Sequence, residues 1–326
     1  MTIDVLCLRP ESDFTRAGVS VPGGLAIEFR APDAPDVPAL MQQARALVIP
    51  AVGPKLPAAL FENAPSLRVV QVTGAGVDRL DQPALTRLGI PVANVPGGSN
   101  GALAEYAVGN ALALLRRFCW ADARVKAGDY VGFRGRMLGD NLAGLDGAQV
   151  GIVGMGTIGL AVARAFAAFG ANLVYFDPSP RDPAAVAALG ARSLSLDELL
   201  AGSDVVSLHV PLLPQTTNLI GAAQLAKMKP TAVLINAARG GIVDEAALAA
   251  ALRDARIAGA AVDVYSTEPV PADNPLLGLT GDAAARLLLT PHIAGVSRQA
   301  SATLFRLAWE NVQRVLGGEA PVSRVY

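Results

Sequence analysis

The sequence predicts an α/β fold built on parallel sheets, and three observations carry that expectation. Short runs of Val, Ile and Leu, bounded by Gly, Pro or Asp, recur along the chain and read as strands buried on both faces. Helical patterns separate them, and strand–helix alternation gives parallel pairing through right-handed crossovers. A glycine-rich turn, Gly154-Met155-Gly156-Thr157-Ile158-Gly159, joins one apolar run to the next helical pattern. The 326 residues suffice for two domains at about 150 residues each.

The first series occupies the first 98 residues. Ile3–Leu8, Ala46–Ile49, Leu67–Val72 and Ile90–Val95 read as strands. Val37–Arg45, Leu56–Glu62 and Gln82–Leu88 read as the helices between them. A long helix is expected over Gly101–Lys126, because Leu103, Tyr106, Ala107, Asn110, Leu114 and Phe118 fall near one face. Ala127–Asp146 carries five glycines and reads as an irregular arm, too apolar for a plain linker. The second series then has strands at Gln149–Val153, Leu173–Phe176, Val205–Leu208, Ala232–Ile235, Ala260–Val264 and Leu287–Leu289. Its helices are expected at Ile158–Ala168, Pro183–Leu189, Ala222–Ala226 and Glu245–Arg253, with a last helix near Ser297–Leu316.

Composition narrows the function. Apolar residues make up 52% and charged residues 17%, which is a globular balance. Lys and Arg number 27 against 28 Asp and Glu, so whole-chain charge offers no attraction to nucleic acid or to an anionic membrane. Gly147–Ala163 is uncharged, but glycines interrupt it and it is too short to span a bilayer. The first residues lack the basic region and apolar length of a secretory signal. Cys7 and Cys119 have no metal or redox spacing and read as small buried hydrophobes. A reducing, cytoplasmic setting is the expectation.

The glycine turn has the full context of a dinucleotide-binding fingerprint. It follows an apolar strand, opens a helix, and is followed by a strand ending at Asp177, 18 residues past Gly159. Gly154 permits the tight turn, Gly156 lets backbone approach a pyrophosphate, and Gly159 lets helix and strand pack closely. With Thr157 and Ile158, the helix N-terminus presents free N–H groups to the anion. Asp177 can accept from both ribose hydroxyls and repels a 2′-phosphate, which favours NAD. Arg181, four residues on, leaves NADP open.

Three charged residues follow predicted strands, where open α/β sheets place their chemistry. Arg239 stands in Ala238-Arg239-Gly240-Gly241 and can pair bidentately with a substrate carboxylate. Glu268 stands in Ser266-Thr267-Glu268-Pro269, and His292 in Thr290-Pro291-His292-Ile293. Histidine is the usual proton carrier near neutral pH, and a carboxylate beside it would fix its tautomer. His209, in Leu208-His209-Val210-Pro211, also follows a strand and is a candidate cofactor contact together with Pro211.

This combination resembles the D-isomer-specific 2-hydroxyacid dehydrogenase family. The resemblance covers nearly the whole chain. It includes Val72-Thr73-Gly74-Ala75-Gly76-Val77-Asp78, the glycine fingerprint, His209-Val210-Pro211-Leu212, Lys229-Pro230 through Asp244, Asp263-Val264 through Pro269, and Pro291-His292. It implies two Rossmann-like domains: a flavodoxin-like, discontinuous substrate domain over 1–98 and 294–326, and an NAD-binding domain over 99–293. It implies that Arg239 holds the substrate's carboxylate and carbonyl, that His292 is general acid and base, and that Glu268 is its partner. Ala75, Gly76 and Val77 would offer backbone N–H groups to the carboxylate, and Asp263 would contact the nicotinamide carboxamide. A cleft between the domains would close over a small anionic substrate, and the arm around 120–146 would embrace a second subunit. If Arg134 and Arg136 of that arm reach the pocket, they suit a second anionic group.

Within the resemblance, Glu268 argues against formate, because formate-oxidising members carry Gln there. The substrate lysine of phosphite-oxidising members has no match in Gly74–Asp78. The regulatory tail frequent in serine-pathway phosphoglycerate enzymes is not expected after Tyr326. A cofactor-sensing scaffold without turnover stands as the reading from a different class, and Arg239, Glu268 and His292 speak against it.

Overall fold

The computed structural model describes residues 3–326 and divides into two compact units. Met1 and Thr2, where the stretch read as lacking a signal begins, lie outside the described residues. One unit gathers the chain up to Ser99 together with Val296–Tyr326, and the other is Asn100–Gly295.

In chain order the first unit has β1 (Val5–Cys7), α1 (Glu11–Arg16), β2 (Ile27–Phe29), α2 (Val37–Met41), β3 (Ala46–Ile49), α3 (Ala58–Glu62), β4 (Val69–Val72), α4 (Gln82–Leu88) and β5 (Val92–Ala93). All pairs in its sheet are parallel, in the order β2-β1-β3-β4-β5. Alternation along each strand sorts the core. Leu6, Leu47, Ile49, Val70 and Val72 pack with α2–α4 through Met41, Phe61 and Leu85. Val5, Cys7, Ala46, Val48 and Val69 face the opposite side.

The second unit runs α5 (Asn100–Leu115), α6 (Phe118–Lys126), α7 (Tyr130–Gly139), β6 (Gln149–Val153), α8 (Thr157–Ala167), β7 (Asn172–Phe176), α9 (Pro183–Ala187), β8 (Arg192–Ser193), α10 (Leu196–Gly202), β9 (Val205–Leu208), α11 (Ala222–Leu225), β10 (Val233–Asn236), α12 (Glu245–Arg253), β11 (Gly259–Val262), α13 (Gly281–Ala285) and β12 (Leu287–Leu289). The seven strands are parallel in the order β12-β11-β10-β9-β6-β7-β8. α5 and α8 cover one face with Ile152, Val205, Val233 and Ile235. α10, α11 and α12 cover the other with Val153, Val206, Leu208 and Leu234. α14 (Arg298–Leu316) returns to the first unit, with Ser297 as its N-cap accepting from Ala300 N–H at 3.1 Å. Its Phe305 and Trp309 rings lie 4.7 and 5.1 Å from the ring of Phe14, which is fully buried.

The structure corrects several expectations. The helix read over Gly101–Lys126 is two helices, because Arg117 adopts φ 54° and breaks the run. Its guanidinium then pairs with Asp140 and lies over the Trp120 ring. The arm read as irregular contains a ten-residue helix, α7. Each interior glycine costs about 1 kcal/mol of helix propensity. Tertiary contacts offset it: Asp129 caps Phe133 N–H at 3.2 Å, and Phe133 packs on Trp120 at 5.4 Å. Arg136 lies over Trp120 and bonds Asp282 at 2.9 Å, so structural contacts already engage it, whereas Arg134 is exposed. Cys119 is exposed and not buried. The elements α1, β2, β8, α10 and α13 had no counterpart in the sequence reading. Four are short, polar or half-buried, with no measurable periodicity. α10 carried a readable signal, the capping box Ser195/Glu198.

Phe14→Ala should cost about 3–5 kcal/mol by emptying the centre of the aromatic cluster under α14. The check is the urea midpoint followed by Trp309 fluorescence, and an unchanged midpoint would refute that packing role.

Candidate active site

Every candidate residue of the second unit follows the carboxyl end of a strand in one parallel sheet. Across the sheet these are His292 after β12, Asp263 and Glu268 after β11, Arg239 after β10, His209 after β9, the glycine turn after β6 and Asp177 at the end of β7. Adjacent strands lie about 4.8 Å apart, so register alone gathers these groups along one edge.

Asp263 organises one end of that edge. Its carboxylate is buried and accepts from Thr290 Oγ1 at 2.6 Å, Ile293 N–H at 2.8 Å and Ala294 N–H at 2.8 Å. Its carbonyl accepts from His292 N–H at 2.8 Å. The loop thus wraps around one side chain, and this holds His292 at φ 55°, a left-handed conformation that a non-glycine residue adopts only under constraint. Thr290 donates its single proton to Asp263, so the Tyr106 hydroxyl donates to Thr290, at 2.7 Å. Burial pushes Tyr106 up to about 12, which keeps it a donor. The Tyr265 hydroxyl adds a bond to Thr290 C=O at 3.0 Å. The resemblance pointed Asp263 at the nicotinamide carboxamide; in the structure both of its oxygens serve the histidine loop. Tyr106, Tyr265 and Thr290 were missed as site residues. Thr290 and Tyr265 stand beside His292 and Glu268 in the linear motifs, while nothing in the sequence linked Tyr106 to them.

His292 and Glu268 meet directly. Nδ1 lies 2.8 Å from Glu268 Oε2, and Oε1 accepts from Tyr265 N–H at 3.0 Å. A carboxylate has no proton to give, so Nδ1 carries the hydrogen. Nε2 is left as the atom that can exchange a proton with a ligand. Both side chains are about a quarter exposed, at 26% and 28%, enough for a substrate to reach them.

Arg239 sits on a turn pressed against that loop. A Cβ on Gly240 would stand 1.8 Å from the Tyr265 carbonyl oxygen, so only glycine lets the two loops approach. Asn236 locks the turn, accepting from Ala238 N–H at 3.2 Å and donating to the Arg239 carbonyl at 3.2 Å. Arg239 Nη1 donates to the Ala238 carbonyl at 2.7 Å.

The glycine turn fits a dinucleotide. A Cβ at Gly154 would meet the His209 carbonyl oxygen at 2.6 Å, and one at Gly159 would meet the Gly154 carbonyl oxygen at 2.0 Å. At Gly156, by contrast, a Cβ would meet nothing within 4 Å, so the space in front of the turn is open. No side chain caps α8, which leaves the N–H groups of Thr157, Ile158 and Gly159 for an anion. Asp177 accepts from Met155 N–H at 2.8 Å, from Ser179 N–H at 2.9 Å and from Arg181 at 2.6 Å. Burial alone would raise its pKa, but the guanidinium and the two N–H groups outweigh it and hold the carboxyl below its usual range. Arg181 is engaged by Asp177, which explains how an arginine can stand beside an NAD-type acid. His209 Nε2 lies 2.8 Å from Ser207 Oγ, and burial depresses the ring to about 4, so it is neutral near pH 7. Its N–H donates to Val153 C=O at 2.7 Å, which braces the turn. Pro211 is exposed, and its carbonyl accepts from Thr216 Oγ1 at 2.7 Å.

The Ala75–Val77 loop belongs to the first unit and follows β4. Its residues are half-exposed, and no backbone carbonyl among the described residues accepts from the Ala75, Gly76 or Val77 N–H groups. No group of His, Cys, Asp and Glu among the described residues could hold a metal ion, and no helix among them is long and apolar enough to cross a membrane.

Comparison with known proteins identifies the family. The family model for the D-isomer specific 2-hydroxyacid dehydrogenase NAD binding domain matches residues 108–294. A glyoxylate reductase of Korarchaeum cryptofilum is 40% identical over 271 residues, 82% of this chain and 79% of that protein. A D-3-phosphoglycerate dehydrogenase of Archaeoglobus fulgidus is 38% identical over 264 residues, 81% of this chain but only 48% of that longer protein. The crystal structure of the TT0316 protein of Thermus thermophilus superposes with a TM-score of 0.81 at 32% identity, covering 99% of this chain and 100% of that one. An NAD-type acid behind an open glycine turn and a histidine paired to a glutamate on the same sheet edge agree with these matches, and the chain belongs to the D-isomer specific 2-hydroxyacid dehydrogenases, oxidoreductases that use NAD on the CH–OH group of hydroxy acids.

Proposed function

We propose that this protein interconverts a small 2-oxo acid of the glyoxylate type and its D-2-hydroxy acid, with His292 as the acid–base group. The observation that carries this is the 2.8 Å contact between His292 Nδ1 and Glu268, which dedicates Nε2 to proton exchange. When bound at the glycine turn and Asp177, NADH would supply the hydride that reduces the carbonyl carbon. The chain does the rest. His292 Nε2–H protonates the carbonyl oxygen as charge builds on it, and Glu268 stabilises the imidazolium and fixes its orientation. Arg239 holds the carboxylate and the developing alkoxide. The Ala75, Gly76 and Val77 N–H groups, which have no backbone acceptor among the described residues, donate to the substrate carboxylate. Gly154, Gly156, Thr157, Ile158 and Gly159 hold the pyrophosphate, with His209 and Pro211 lining the same side. Asp177 takes the ribose hydroxyls, and Asp263, with lone pairs to spare, also receives the carboxamide.

Two further parts of the reading concern setting and assembly. The protein works in the cytoplasm as a homodimer formed through residues 120–146. Support for the dimer comes from α6 and α7, which expose Val125, Tyr130, Val131 and Leu138 on one short arm.

His292→Asn should lower kcat by about 10²–10⁴ with NADH binding unchanged. The assay is turnover on a panel of 2-oxo acids beside NADH fluorescence titration. Wild-type protein that binds NADH yet turns over no member of the panel would replace this reading with a non-catalytic scaffold. Asp177→Ala should shift the NADH/NADPH preference by about tenfold or more toward NADPH, since it removes a repulsion of about 1–4 kcal/mol at contact distance. An unaltered ratio of kcat/KM values would discard the ribose contact. Val131→Glu with Leu138→Glu should halve the mass measured by light scattering, and an unchanged mass would place the interface elsewhere.

A further inference from the structure

The segment Val322–Tyr326 takes no part in the chemistry described, yet it is linked through Asn94 to the loop that presents Ala75–Val77. A buried amide pair anchors its start. Asn311 Nδ2 on α14 donates to Gln71 Oε1 of β4 at 2.6 Å, and both side chains are buried. The same Asn311 accepts from Val322 N–H at 2.7 Å and donates to Val322 C=O at 3.1 Å. Ser323 then turns the chain at φ 54°. Residues 324–326 lie antiparallel along the free edge of β5: Val325 N–H donates to Val92 C=O at 2.8 Å, and Val92 N–H donates to Tyr326 C=O at 3.0 Å.

Asn94 joins this strip to the loop. Its N–H donates to Ser323 C=O at 3.3 Å, and its side-chain amide donates to Ala75 C=O at 2.7 Å. The next residue, Val95, donates to Gly74 C=O at 2.9 Å. Gly74 has no slack on its other side, where a Cβ would stand 2.7 Å from that of Ala51. The Tyr326 ring packs on the same apolar cluster as Ala51 and Val77. Its hydroxyl is buried and unbonded, near enough to Asp78 and Asp81 that burial and the two carboxylates raise it to about 12. A cover for a bare sheet edge would need only the bonds to Val92. The bond through Asn94 to Ala75 and the packing of the ring on the cluster that also holds Val77 are additional.

We propose that Val322–Tyr326 is a positioning element for the substrate-carboxylate loop, with Asn94 as its joint and the Tyr326 ring as its wedge. It acts on how well the N–H groups of Ala75–Val77 converge on a carboxylate, and so on KM for the 2-oxo acid. The inference rests on the proposed role of that loop.

The test is steady-state kinetics with glyoxylate, NADH binding by fluorescence, and thermal midpoints for four variants. Tyr326→Ala and Asn94→Ala should each raise KM about five- to tenfold, with kcat and the NADH Kd within twofold of wild type. Tyr326→Phe should retain wild-type KM, because the hydroxyl it removes makes no bond. Gly74→Ala deforms the loop directly and should raise KM at least as much. If Gly74→Ala raises KM while Tyr326→Ala and Asn94→Ala do not, the positioning role is wrong and the loop's role stands. If Gly74→Ala leaves KM unchanged, the loop does not hold the carboxylate and the inference fails with it. Variants that lower the thermal midpoint and weaken NADH binding and KM alike would reduce the segment to a structural edge cover.

Discussion

A single buried carboxylate decides where the reactive histidine stands. Asp263 draws a hydroxyl and two backbone N–H groups from Thr290–Ala294 onto its two oxygens. A buried charge is tolerable only when fixed donors replace the water it has lost. Here the donors all come from one loop, so satisfying the charge and folding the loop are the same event. The left-handed backbone at His292 is the strain that this arrangement holds in place.

The rest of the edge follows the same logic of fixed dipoles. At one end Glu268 orders His292; at the other, the uncapped first turn of α8 and the acid Asp177 are set for a molecule that carries both anionic and hydroxyl groups. Between them the loops are spaced by glycines whose missing Cβ atoms would collide with carbonyls, at Gly240 and Gly154 in particular. The two histidines of the chain are separated in chemistry by their surroundings. His209 is stripped of water and neutral, bonded to Ser207, and braces the glycine turn. His292 is partly exposed and faces a carboxylate. Both share one address in the sequence, a strand end; burial assigned them different work.

The amide joint at Asn94 extends the principle to the first unit. A glycine loop proposed to present three N–H groups needs its carbonyls held, because peptide planes rotate as units. The carbonyls of Gly74 and Ala75 are bonded to Val95 and Asn94, and among the described residues no backbone carbonyl accepts from the Ala75, Gly76 or Val77 N–H groups.

By itself the sequence determined the architecture and named the candidate residues of the site. Apolar runs mark strands because both faces of a parallel sheet must be buried, and the glycine fingerprint, Asp177, Arg239, Glu268 and His292 stand in linear motifs whose spacing reflects local backbone needs. Tertiary structure alone decided what those residues touch. The break at Arg117 and the helix at Tyr130–Gly139 run against local propensity, because Trp120, Phe133 and Arg136 supply contacts that no window of sequence contains. The pairing of Arg181 with Asp177, the clamp on Asp263 and the reach of Tyr106 to Thr290 across 184 positions are likewise contacts made by packing. Periodicity records which face of an element is buried; it holds no record of which distant side chain arrives there.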